Sequence, residues 1–190
     1  MASTRERILN TTSNLLKTQG YHATGLNQIL IKSCTPKGSL YYYFPKGKEE
    51  LAGEAIRSTS QTIAERIQTH LATYTDPAEA ISVFVGYIAQ YIELSDYQAG
   101  GPLMIVALET VNSNDGLNTV CREAYQLIQD AFFHKLVDSG FSTEKASTLA
   151  EFVVASIEGG TILSRIQHSG APLYRIAEEL RVFLSVAAKE

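Results

Sequence analysis

Apolar residues recur at spacings of three and four along almost the whole chain, and this one regularity confines the fold to packed helices. The period-two alternation that a half-buried strand needs is nearly absent. A first helix is expected from about Ser3 to Gln19, with Ile8, Leu15 and Leu16 on one face and Gly20 as its stop. A short second helix follows Thr24-Gly25, with Leu26, Ile29 and Leu30 as its stripe. Ser33-Cys34-Thr35 then makes a turn, and Pro36 suits the first position of a third helix that carries Leu40 and Phe44 inward. A fourth helix runs from about Lys48 to Ala72. The TDP at 75–77 caps a fifth, whose stripe is Ile81, Phe84, Val85, Ile88 and Ile92. Breaks at Asp96–Pro102 and at NSNDG 112–116 enclose a short helix from Gly101 to Thr110. Longer helices follow from about Leu117 to Ser139 and from the Ser142-Thr143-Glu144 cap to Gln167. The last begins after SGAP at 169–172 and ends near Ala188. The expectation is an all-α chain, with a three-helix head over residues 1–47 and a larger helical body over 48–190.

Within that head the stretch TPKGSLYYYF at 35–44 sets a specific problem. Three consecutive tyrosines cannot all face one core, and each buried hydroxyl needs a partner. At about 100° per residue, Leu40 and Phe44 define the inner side of the third helix. Gly38 and Tyr42 then point away from it, Ser39 and Tyr41 flank them, and Lys37 extends from the first turn. Two short helices joined by a tight turn and braced by a longer one are the helix-turn-helix arrangement. The outward set suits a DNA groove. A lysine donates to guanine O6 and N7, a serine pairs with several base edges, and tyrosine hydroxyls donate to phosphate. Gly38 lets the backbone approach the duplex. Lys48 would neutralise a flanking phosphate, and Thr24, at the start of the second helix, could bond another. The competing reading of Tyr41 and Tyr42 is that they cover the junction between head and body.

A net charge of −4 looks wrong for a DNA binder until it is divided along the chain. Through Lys48, seven Lys and Arg stand against one acid, Glu6; the remainder holds nine bases and nineteen acids, so the parts carry about +6 and −10. The positive charge is placed rather than spread. Two cysteines, Cys34 and Cys121, make neither a disulfide framework nor a metal site. With no signal-like segment and no apolar run near the roughly 18 residues of a membrane span, a cytoplasmic protein that keeps off the membrane is expected. There is no phosphate loop, no GxSxG and no metal-ligand pair, so neither catalytic residues nor a cofactor is expected.

The stretch GYHATGLNQILIKSCTPKGSLYYYFPKGKEEL at 20–51 resembles the DNA-binding domain of the tetracycline-repressor (TetR) family of bacterial regulators. Gly20-Tyr21, Thr24, Ile29, the KGSLY of 37–41, Phe44 and the KEEL of 48–51 carry the likeness. FPKGKEEL, GGPLMIVALE at 100–109 and IEGG at 157–160 are similar to the LmrA/YxaF branch. The resemblance places base contacts on Lys37 and Ser39, with Gly38 between them. It places phosphate contacts on Thr24, Tyr41, Tyr42 and Lys48, and an occasional base contact on Asn27. Cys34 stands where the family usually has the turn glycine, Gly25 replaces a frequent Ser/Thr cap, and Pro36 replaces a frequent serine.

The body must do something that a DNA reader alone does not need. His70, Phe84, Tyr87, Tyr91, Met104, Tyr125, Phe132 and Phe152 supply apolar walls with a few polar tips, the composition of a small-molecule pocket. Taken singly, each reads more readily as a core residue than as a pocket wall. It is the resemblance that implies an effector, apolar or aromatic, whose binding releases a palindromic operator. Drug-efflux or detoxification genes are the targets this implies. Adjacent glycines in IEGGTIL open a smooth helix face, with Ala155 and Ser156 one turn before Gly159 and Gly160. The last helix offers Ile176, Leu180, Phe183 and Leu184 as a matching stripe. An intrachain crossing and a homodimer contact both fit this pattern. The family forms a four-helix dimer interface from its last two helices, which would place Ser156, Gly159, Gly160 and Leu163 on it. An effector-released repressor is therefore expected. The alternatives are a DNA-bound dimer whose body recruits a protein, and a small helical enzyme or carrier whose basic head is incidental.

Overall fold

The computed structural model describes residues 3–98 and 102–188, and among these every regular element is an α-helix. In chain order they are α1 (Thr4–Gln19), α2 (Leu26–Ser33), α3 (Lys37–Tyr43), α4 (Lys48–Leu71), α5 (Pro77–Leu94), α6 (Pro102–Thr110), α7 (Asp115–Asp138), α8 (Thr143–Gln167) and α9 (Ala171–Ala187). The chain divides into two compact units: residues 1–61 with 101–125, and residues 62–100 with 126–190. Gly100 and Gly101, which open the GGPLMIVALE stretch, lie outside the described residues.

The first unit starts from a strong local signal. Ser3 caps α1: its hydroxyl accepts the Glu6 N–H, and the Glu6 carboxylate accepts the Ser3 N–H at 2.7 Å. This reciprocal capping box satisfies two N-terminal donors. Ile8, Leu15 and Leu16 of α1 close over Ile29 of α2, Leu40 of α3 and Phe44, all essentially without solvent exposure. Leu51, Ala52, Ala55 and Ile56 extend the core along α4. α6, distant in sequence, packs on α1 and buries Val106.

Between α2 and α3 the chain reverses through Cys34 at φ 51°, ψ 48°, the left-handed conformation usually left to glycine. The Thr35 N–H returns to the Leu30 carbonyl at 3.1 Å, and the Ser33 and Thr35 hydroxyls pair at 2.7 Å inside the turn. Pro36 precedes α3 as its N-cap, one position earlier than the sequence suggests. The proline has no N–H to satisfy, so the shift leaves no donor unpaired.

The second unit is a bundle in which α5 packs on α8 and α9. Asp76 caps α5 through the Ala78 and Glu79 N–H groups, with Pro77 at the first helical position. Ile81, Val85 and Ile92 of α5, Phe132 and Leu136 of α7, Val153 of α8 and Leu173 of α9 form its core. The Lys145 ammonium donates to the Ala187 carbonyl at 2.7 Å and fastens the last turn of α9. α8 alone among the described helices is long and apolar enough to cross a membrane, at a mean hydropathy of 1.2. No uninterrupted apolar run marks it in the sequence, because Glu151, Glu158 and two glycines break it up. α8 packs on α5 and α9 and buries one face there, as bundle helices do.

Candidate nucleic-acid interface

α3 presents the face that its periodicity requires. Leu40 and Phe44 are fully buried, whereas Tyr42 is 79% exposed and Tyr41 is 44% exposed. Tyr43 is half-buried, its ring edge-on to Tyr42 with centroids 4.9 Å apart. Lys37 and Gly38 are exposed, and a side chain on Gly38 would meet nothing within 4 Å. The Lys37 ammonium stands 6.0 Å from the Tyr41 ring centre, at the limit of a cation–π contact. Ser39 sits half-exposed beside them, and Asn27 is exposed on the first turn of α2. Lys37, Gly38, Ser39, Tyr41 and Tyr42 therefore form one outward patch with donors at several reaches. α2 begins at Gly25 without a side-chain cap, which leaves its first N–H groups available to an anion.

Thr24 stands apart from this patch. Its side chain is buried, its hydroxyl donates to the Gly20 carbonyl at 2.6 Å, and its N–H donates to the Tyr21 carbonyl at 3.1 Å. It locks the α1–α2 turn from inside. Lys48 is partly engaged as well: its ammonium lies 4.3 Å from the Tyr21 ring centre and 3.5 Å from the His22 carbonyl. Partial burial lowers the pKa of this ammonium, and nearby Glu109 opposes that shift. Nothing local in the chain points to Glu109, because its contacts span 87 and 88 residues.

In the second unit His70 is the centre of an aromatic cluster. Its ring lies 5.4 Å from Phe84, 5.8 Å from Tyr87 and 6.0 Å from Tyr74, and Phe84 meets Phe132 at 5.9 Å. His70 Nε2 is buried with no hydrogen-bond partner, a costly state for a polar atom. Tyr74, four residues after His70 and just past the end of α4, joins the cluster as an addition to the residues expected from the sequence. Tyr91 follows Tyr87 by one turn of α5, and both are about half exposed. Phe152 does not belong with this cluster; its ring pairs with Phe183 at 5.3 Å on the α8–α9 face. Met104 and Tyr125 are half-buried members of the first unit.

The α8–α9 face carries a groove of about 460 Å³ lined by Phe152, Ser156, Leu163, Ile176 and Phe183, with Leu180 as part of its floor. Phe152, Leu163 and Phe183 are each nearly half exposed, and Ile166, Val182 and Val186 extend the apolar surface. Gly159 opens outward, and a methyl group placed on it would meet nothing within 4 Å. Gly160 turns the other way: a Cβ there would stand 2.6 Å from Ile176 Cδ1 and 2.7 Å from Leu173 Cδ2 of its own α9. Of the two roles open to these glycines, Gly160 takes the intrachain crossing. Leu184 also faces inward, at 1% exposure.

Among the described residues nothing assembles a reaction centre. Cys121 is buried, and its thiol pKa is pushed up to about 11, so it stays protonated and unreactive. Among the same residues no group of His, Cys, Asp and Glu could hold a metal ion.

Comparison with known proteins agrees with this arrangement. The family described as bacterial regulatory proteins, tetR family, matches residues 8–55. The family described as transcriptional regulator LmrA/YxaF-like, C-terminal domain, matches residues 77–179. The HTH-type transcriptional regulator YxaF of Bacillus subtilis is 41% identical over 95% of this chain and 94% of its own length. LmrA of the same organism, also an HTH-type transcriptional regulator, is 38% identical over 91% and 92% of the two chains. Among solved structures, a TetR regulator from Legionella pneumophila superposes with a TM-score of 0.80 at 22% identity, covering 98% of each chain. The regulatory protein TetR from Rhodobacter sphaeroides superposes with a TM-score of 0.82 at 16% identity, covering 95% of this chain and 98% of that one, so the shared feature there is the fold. The chain belongs to the TetR family of bacterial regulators, close to its LmrA/YxaF branch, and is a DNA-binding transcriptional regulator rather than an enzyme.

Proposed function

We propose that the chain acts in the cytoplasm as a homodimeric repressor that leaves a palindromic operator when its body takes up a small apolar or aromatic effector. The observation that carries the reading is the outward patch of α3, where Lys37 and Ser39 flank an uncovered Gly38 and two tyrosine hydroxyls stand alongside. Lys37 and Ser39 read base edges, while Tyr41, Tyr42 and Lys48 hold the phosphates. The apolar α8–α9 face supports pairing with a second copy, since a patch of this kind is seldom left to water. His70 with Phe84, Tyr87 and Phe132 supports an effector site in the second unit: flat apolar walls surround one nitrogen in need of a partner.

The test is selection of duplexes from a random-sequence pool by the purified protein. An imperfect palindrome with half-sites about one helical turn apart, roughly 34–36 Å or somewhat more, is the expected product. Enrichment of no sequence would remove the specific-DNA reading.

A further inference from the structure

The turn between α1 and α2 is held from outside the helix-turn-helix by the carboxylate of Glu109. This residue, next to the last of α6, accepts the Tyr21 N–H at 2.5 Å and the His22 N–H at 3.2 Å, both through Oε2. Its own carbonyl lies 3.3 Å from His22 Nε2. Gly20 makes the seat possible, because a side chain there would collide with the carboxylate. The Lys48 ammonium rests on the Tyr21 ring of the same turn and reaches the His22 carbonyl. Residues 20–22 are therefore clamped between an anion from α6 and a cation from α4. The Thr24 hydroxyl and N–H donate to the Gly20 and Tyr21 carbonyls, so the position of the turn sets where α2 begins. Hydrogen bonds from N–H groups to a carboxylate are among the stronger ones, and these two replace partners that no helix supplies.

We propose that Glu109 is a positioning residue for DNA binding: by fixing the Gly20–His22 turn it sets the place from which Lys48 meets a phosphate. The proposal rests on the DNA-binding reading above. It makes the DNA affinity of the head depend on α6, a helix about sixty residues beyond the helix-turn-helix in sequence. The opposite sign has an equally clear physical basis. A carboxylate beside a DNA-facing lysine competes with phosphate for it, and on that ground removing the charge would tighten binding.

Two conservative variants separate reach from charge. Glu109→Gln keeps an acceptor oxygen at the same reach without the charge, and Glu109→Asp keeps the charge but draws it back from the turn. The probe is a duplex selected by the wild-type protein, with dissociation constants measured across a salt series and folding checked by thermal melting. Glu109→Asp is expected to bind about tenfold more weakly, within the range of ordinary coupling between sites. Its salt slope should fall by about one unit, as that of Lys48→Ala should. Glu109→Gln should stay within about threefold of wild type, since one good acceptor remains. The double variant Glu109→Asp/Lys48→Ala should be no weaker than Lys48→Ala by more than about twofold, because both changes remove one phosphate contact. Wild-type affinity for Glu109→Asp, binding by Glu109→Gln tighter than wild type by more than about threefold, or losses that multiply in the double variant would each overturn the proposal. A wild-type protein that selects no duplex would overturn the DNA-binding reading and this proposal with it.

Discussion

Lys37 and Lys48 differ in what their loss removes. Lys37 extends from the exposed patch of α3, so Lys37→Ala should cost about 1–3 kcal/mol on the cognate duplex and little on random DNA. Lys48 sits against the Tyr21 ring at the start of α4, and its proposed partner on DNA is a phosphate rather than a base. Lys48→Ala should weaken all sequences alike and lower the salt slope by about one unit. Equal losses on cognate and random duplexes for Lys37→Ala would take base reading away from it. Cys34 poses a separate question at this scale. A cysteine held at φ 51° bears the strain of the left-handed region, and it is exposed rather than packed. Cys34→Gly should raise stability by about 0.5–1 kcal/mol, after allowing for the added freedom of the unfolded chain, as read from a denaturant midpoint. An unchanged or lower midpoint would mean that the cysteine contributes contacts which outweigh the strain.

At the scale of the helices, α8 shows why periodicity alone cannot assign a face. Gly159 and Gly160 are adjacent and chemically identical, yet one opens outward and the other accepts Leu173 and Ile176 of α9. Only the helix packing separates them. Gly160→Leu should therefore destabilise the folded chain by about 1–3 kcal/mol through overpacking, lowering the melting temperature before any effect on association. Phe183→Glu, on the exposed face beside Phe152, should leave melting of the monomer fold nearly unchanged and produce a monomer by light scattering. A dimer that persists in Phe183→Glu would move the interface off this face. The described helices and the inward side of α3 were legible in the sequence, because caps at Ser3, Asp76 and Ser142 and stripes at three- and four-residue spacing are local signals. What stayed hidden depends on contacts across packed elements rather than along one helix. The burial of Thr24 beneath Gly20, the pairing of Phe152 with Phe183 rather than His70, and the grip of Glu109 on the α1–α2 turn are of this kind. Tyr74 belongs with them: it follows His70 by four residues but lies past the end of α4, so no helical spacing assigns it to the cluster.

Over the whole molecule, two helices have residues in both compact units. α4 runs through both compact units, from Lys48 in the first to His70 in the second, and α7 likewise belongs to both. A ligand that partners His70 Nε2 among Phe84, Tyr87 and Phe132 would act on the far end of the helix whose first turn carries Lys48. Such a ligand releases DNA only if it binds the DNA-incompetent conformation more tightly than the competent one. His70→Ala should then abolish or sharply weaken ligand-driven release while leaving operator affinity within about twofold of wild type, since the residue touches no DNA-facing group. Coupling between two sites is reciprocal in binding free energy, with typical values of about 1–3 kcal/mol, or roughly 5- to 150-fold. The most direct measurement is a calorimetric titration of one effector, identified by its release of the selected duplex, into the protein alone and into the protein saturated with that duplex. Effector affinity should be lower by about 5- to 150-fold in the presence of DNA. Equal affinities in the two titrations would contradict effector-driven release.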